Sequence, residues 1–132
     1  MKIKINKLEI KKDSRGSLIE VFKPEYLGKN HIKGQFFVTT ANPGMEKGKH
    51  YHKRKKEWFC VIKGEGELYL ENIKTHESSI IKMGEKNMIT VEITPYTYHS
   101  IKNIGNEEMI LLVYSSKPFN PSDPDTFSKS EI

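Results

Sequence analysis

The chain has little of several things that would place it in a large class. One cysteine among 132 residues leaves no intrachain disulfide framework and fits a reducing compartment. That residue, Cys60, sits in the apolar run Trp58-Phe59-Cys60-Val61-Ile62 and reads as a buried, inert thiol. No apolar stretch approaches the ~20 residues of a membrane-spanning helix. The start, Met1-Lys2-Ile3-Lys4-Ile5, carries charge at alternate positions where a signal peptide would be apolar. The expectation is a soluble, cytoplasmic protein without a membrane partner. Charge of one sign does not dominate: 22 Lys and Arg stand against 17 Asp and Glu, a formal net charge of +5. The lysines are interleaved with glutamate, and no aromatic stacking platform or groove-reading helix accompanies them, so nucleic acid is not expected as a partner. A phosphorylated small molecule explains the excess at least as well. The densest basic run, Lys53-Arg54-Lys55-Lys56, reads as a solvated turn.

No segment holds a 3.6-residue apolar stripe over three turns. What recurs instead is period two, the mark of half-buried strands. Ile3, Ile5, Leu8 and Ile10 begin it. Leu18 to Phe22, Gln35 to Ala41, Trp58 to Ile62, Glu67 to Glu71, Ser79 to Met83, Met88 to Ile93 and Glu108 to Ser115 continue it. Turn signals separate these runs: Asp13-Ser14-Arg15-Gly16, Asn42-Pro43-Gly44, Gly64-Glu65-Gly66, Met83-Gly84-Glu85 and Asn103-Ile104-Gly105-Asn106. Short strands, each followed by a turn, predict an all-β, single-domain antiparallel barrel or sandwich over residues 1–132. The proline-rich stretch from Lys117 to Asp125 cannot be a central strand, so residues from about 117 to 132 are expected to form an extended arm lying on the barrel.

His50 and His52 are two positions apart, so on a strand both face the same side. Glu57 is an odd number of residues from each and would face away if that strand continued. The basic run can turn the chain and leave Glu57 at the start of the next strand, facing the same cavity. His99 would enter from a strand distant in sequence. Three imidazoles and a carboxylate suit a divalent metal, zinc foremost, with nickel, iron(II), manganese or cobalt also fitting, and leave room for water or substrate. The alternative is a metal-free pocket in which the same groups act as acids and bases. His31 and His76 lie in polar, loop-like surroundings and receive no role.

Gly44, His50, His52, Glu57 and Gly64 resemble the first cupin motif at every fixed position. His99 and Asn103 fit the second motif, although Thr94 and Tyr96 stand where proline and glycine are usual, with Pro95 between them. The resemblance implies a small jelly-roll β-barrel (a double-stranded β-helix) with its site inside. Two further likenesses narrow the family. Asp13-Ser14-Arg15-Gly16-Ser17-Leu18-Ile19-Glu20 resembles a segment of the nucleotide-sugar 3,5-epimerases, such as dTDP-4-dehydrorhamnose 3,5-epimerase, in which the arginine and glutamate help hold the diphosphate, often across a dimer interface. The stretches Lys47 to His52, Val61 to Gly66, His99 to Asn106 and Pro118 to Phe127 resemble the C-terminal cupin domain of bifunctional capsular polysaccharide enzymes. Those enzymes epimerise and then reduce a UDP-linked 4-keto-6-deoxy-acetamido sugar. The likeness runs from about residue 13 to 127. Their reductase domain has no counterpart in this sequence, so reduction, like the preceding dehydration, is expected to fall to a separate protein.

By resemblance, His50, His52, Glu57 and His99 are expected to hold the metal, and Arg15, Glu20 and Lys49 to bind the nucleotide-diphosphate sugar. A hydrogen beside a ketone can be removed by a base if the enolate is stabilised. Neutral imidazole can serve near neutral pH, so if the site is metal-free, as in the 3,5-epimerases, His50 or His52 becomes the base. Tyr98 is the candidate proton donor, with Tyr51 and Tyr114 as alternatives. The implied activity is a nucleotide-4-ketosugar 3-epimerase. Competing readings are a 3,4-ketoisomerase, a metal-dependent oxygenase using the same donor set, and a non-catalytic sugar-binding cupin. An exposed edge at the N-terminal alternating segment would be an aggregation hazard unless covered, so a homodimer is expected, with Arg15 reaching the partner's site.

Overall fold

The computed structural model describes residues 1–31 and 33–131. In chain order its strands are β1 (Ile5–Lys7), β2 (Lys11–Asp13), β3 (Gly16–Leu18), β4 (Gln35–Ala41), β5 (Glu46–His50) and β6 (Glu57–Lys63). They continue with β7 (Glu65–Asn72), β8 (Ser78–Gly84), β9 (Ile89–Ile93), β10 (Thr97–Asn103) and β11 (Met109–Ser115). One short helix, α1 (Pro24–Leu27), opens on a proline whose missing N–H costs nothing there. Two antiparallel sheets face each other. One has the order β1-β9-β6-β11-β4 and the other β5-β10-β7-β8, while β2 and β3 form a separate hairpin. This is the all-β jelly roll that the alternating pattern predicts.

Alternation puts one face of each strand into the space between the sheets. Phe59 and Val61, Leu68 and Leu70, Val91 and Ile93, and Leu111 and Val113 meet there as one core. The intervening residues face outward. Trp58 and Cys60 on β6 are nonetheless buried, because Leu8 and the segment from Ile19 to Leu27 cover the back of the five-stranded sheet. Burial pushes the Cys60 thiol up to about 12, which leaves it uncharged and inert. β7 follows β6 after a single residue, Gly64, whose φ of 83° favours glycine.

The run from Leu18 to Phe22 is a strand only at its first residue. Its apolar side chains Ile19, Val21 and Phe22 instead pack as a loop against the back of the sheet. The polar tail from Lys117 onward runs back over the barrel. Phe127 and Tyr51 exchange both backbone hydrogen bonds (2.9 and 3.0 Å), and the Tyr51 hydroxyl donates to the Glu131 carbonyl. The Lys129 ammonium pairs with Glu71 at 2.8 Å and lies 4.5 Å from the centre of the Tyr98 ring.

Candidate active site

Two strand irregularities bring the four residues together. His50 on β5 lies directly across from His99 on β10, but the next pair is Gly48 with Ser100, so Lys49 is an extra, bulged residue. Gly48 and Lys49 carry φ of 93° and 64°, and a Cβ on Gly48 would stand 2.9 Å from the His99 carbonyl oxygen. The bulge lets Lys47 and His50 line one cavity although they are three positions apart, an odd offset. After His52 the chain turns through residues 53–56 and Glu57 opens β6 on the inner face, as the parity argument requires. The ligand atoms of His50, His52, Glu57 and His99 then lie within 4.8 Å of one another.

Backbone carbonyls fix two of the rings. His52 Nδ1 donates to the Asp125 carbonyl oxygen at 2.7 Å, and His99 Nδ1 donates to that of Thr97 at 3.0 Å. In the neutral tautomer so selected, each Nε2 presents a lone pair. Both lone pairs face Glu57 Oε1, at 3.0 and 3.4 Å, and His99 Nε2 is buried without a hydrogen-bond partner. Three electron-rich atoms converging in a buried space repel one another unless a cation stands among them. The donor set and its carbonyl-oriented imidazoles therefore fit a divalent ion. Burial pushes Glu57 up, but the neighbouring His52 and His99 together outweigh it and hold its carboxyl well below the usual carboxylate range. Burial first, then the neighbouring His99 and His52, lowers His50 to about 4, so it is neutral at pH 7. Among the described residues no hydrogen bond orients its ring.

A cavity of ≈ 390 Å³ opens onto His50, His52 and Glu57, and Gln35, Phe37, Lys55, Ser115 and Phe119 are among its walls. A deeper recess of ≈ 170 Å³ shares Phe37, His50 and Glu57 with it. A wider depression of ≈ 780 Å³ lies among the turns at the opposite end of the strands, around Glu65, Glu85 and Glu107, and holds none of these histidines.

The structure removes Tyr98 as proton donor in this cavity. Adjacent residues of a strand face opposite ways, and Tyr98 lies on the outer face of β10 against Tyr69 and Lys129. Tyr51 fails for the same reason beside His50 and packs under Phe127. Tyr114 lies on the back of its sheet and donates to the Asn30 carbonyl. Arg15, Glu20 and Lys49 line neither part of the cavity. Arg15 is paired with Asp13 at a hairpin tip, Glu20 with Lys11 and Lys49 with Glu46.

Two residues that matter here carry no sequence signal. Asp125 accepts the backbone N–H groups of Lys53, Arg54 and Lys55 at 2.9, 3.1 and 3.1 Å. It thus fastens the turn before Glu57 while its carbonyl orients His52. Lys55, read from sequence as part of a solvated turn, is buried. Tyr96 takes the glycine position of the second cupin motif with a φ of 60°, and its amide binds the His52 carbonyl at 2.7 Å. It adopts the left-handed backbone that glycine adopts freely.

Residues 11–127 match the model of the polysaccharide biosynthesis C-terminal domain. The chain belongs to that family. A polysaccharide biosynthesis C-terminal domain relative from Pseudomonas aeruginosa, UDP-2-acetamido-2,6-beta-L-arabino-hexul-4-ose reductase, is 37% identical over 119 residues, 89% of this chain and 30% of that protein. The capsular polysaccharide assembling protein CapF from Staphylococcus aureus superposes with a TM-score of 0.70 at 29% identity, covering 92% of this chain and 34% of CapF. The chain thus spans about a third of the length of both relatives. The dTDP-4-dehydrorhamnose 3,5-epimerase from Sulfolobus tokodaii shares the fold, with a TM-score of 0.78 at 22% identity over 91% of this chain and 73% of that one.

Proposed function

We propose that this domain is an isomerase that epimerises a nucleotide-linked 4-keto-6-deoxy sugar by moving a proton at the carbon beside the ketone. The observation that carries the reading is the inward-facing cluster of His50, His52, Glu57 and His99 at the base of an open cavity. The activities named for the P. aeruginosa and S. tokodaii proteins support the substrate class.

His52, Glu57 and His99 would hold a divalent ion, zinc foremost, with His50 left uncoordinated. Such an ion, when bound, would polarise the ketone oxygen. His50 is the base: its ring is neutral, faces the cavity and is not tied to the protein. It accepts the proton from the carbon, and return of a proton to the opposite face inverts that centre. Return elsewhere along the enediol would move the ketone, so the product separates an epimerase from a ketoisomerase. We further propose a homodimer in which the Arg15 hairpin, Glu20 and the rim residue Lys49 meet the nucleotide diphosphate. A monomer by light scattering at micromolar concentration would remove that part.

The test is deuterium uptake from heavy water into UDP- and dTDP-linked 4-keto-6-deoxy sugars, read by mass spectrometry. Uptake beside the ketone is expected. It should vanish in His50→Ala with bound zinc largely kept, and vanish in His52→Ala with the zinc lost. Absence of uptake in folded, metal-loaded protein defeats the proposal. Oxygen consumption with iron(II) in its place would point to an oxygenase with the same donor set.

A further inference from the structure

Two lysines line this cavity without a counter-ion among the described residues, the exposed Lys117 and Lys55, of which Lys55 is the enclosed one. Lys55 is 9% exposed and lines the cavity beside His50, His52 and Glu57. Among the described residues its ammonium has no hydrogen bond and no ion pair; its one close partner is the Phe119 ring, 5.9 Å away. The nearby acids are engaged elsewhere. Glu57 is turned to His52 and His99, and the Asp125 carboxylate takes three backbone amides, one of them that of Lys55 itself.

The stem of Lys55 is buried while its ammonium opens onto the cavity, where a positive charge is best matched by an anion entering the same space. A divalent ion on the histidines would raise the positive charge of the same cavity, leaving Glu57 as the one acid facing it. We infer that Lys55 receives an anionic oxygen of the substrate within the histidine cavity. The inference rests on the proposed function for the identity of that oxygen, and two oxygens share the required chemistry. One is a phosphate oxygen next to the sugar. The other is the enolate oxygen formed when His50 takes the proton.

Lys55→Met keeps the length of the side chain without its charge, and Lys55→Arg restores the charge, so the pair separates charge from packing. Binding of inorganic pyrophosphate by calorimetry needs no turnover. A loss of about tenfold or more in Lys55→Met, with Lys55→Arg close to wild type, supports the phosphate oxygen. Unchanged pyrophosphate affinity with a fall of about 100-fold in deuterium uptake at saturating sugar supports the enolate oxygen. Zinc content and thermal midpoint equal to wild type show that the variant is folded and loaded. Equal affinity and equal uptake in wild type and Lys55→Met overturn the inference alone. No uptake by the wild type overturns the proposed function and leaves the pyrophosphate comparison to decide Lys55. If the wild type binds no pyrophosphate either, the anion-receiving role falls as well.

Discussion

The C-terminal arm and the N-terminal hairpin are both polar, charged segments outside the two sheets, yet only the arm is bonded to the residues around the histidine cluster. Side-chain bonds of the hairpin stay local: Asp13 holds Arg15, and Lys11 holds Glu20. Every residue from Lys11 to Leu18 is exposed. The arm makes its bonds far away in sequence, to Tyr51, His52, the 53–55 turn and Glu71. Polarity alone therefore does not tell a decorated surface from a clamp. A carboxylate whose two oxygens accept three backbone amides does.

The comparison breaks most readily at Asp125. Asp125→Ala is expected to cost about 3 kcal/mol, since it strips charge-assisted bonds from three amides in a part-buried turn. Loosening His52 should also weaken zinc about 10- to 100-fold, the usual scale for groups that orient a ligand. Urea unfolding and a competitive zinc chelator measure the two. The acid response is the next in size. His50 sits near 4 when folded against about 6.5 when unfolded. Between those values the unfolded chain binds a proton that the folded chain refuses, so stability falls as pH drops from 6.5 towards 4. Chelator-treated wild type should show this slope in urea midpoints, and His50→Phe should flatten it. Lys129→Ala, which frees the end of the arm from Glu71 and the Tyr98 ring, should cost about 1 kcal/mol by the same assay. Arg15→Ala should leave the urea midpoint where it was. A clear drop there would show the hairpin to be a second clamp.

Much of this architecture is written in period two. Gln35 to Ala41 is one strand from end to end, and the turns at Asn42-Pro43-Gly44 and Gly64 fall where their residues demand. The four-residue cluster was legible too, because the basic run between His52 and Glu57 had to turn the chain. Parity could also have removed two tyrosines: Tyr51 and Tyr98 each adjoin a histidine on a strand and must face away from it. Other features had no local signal. Leu18 to Phe22 alternates like a strand, but its apolar side chains are used to cover a sheet. Lys55 is one of four consecutive basic residues, and only the tertiary fold distinguishes it. Asp125 lies 70 to 72 residues from the amides it holds, and no periodicity reaches that far.

That distance also sets an order of events during synthesis. The strands bearing His50, His52, Glu57 and His99 leave the ribosome before the arm, and chains gain structure from the N-terminal side first. Until Asp125 emerges, the His52 Nδ1 and the amides of Lys53, Arg54 and Lys55 lack their partner. The site is finished last, so a nascent chain can have its barrel in place while its chemistry is still switched off.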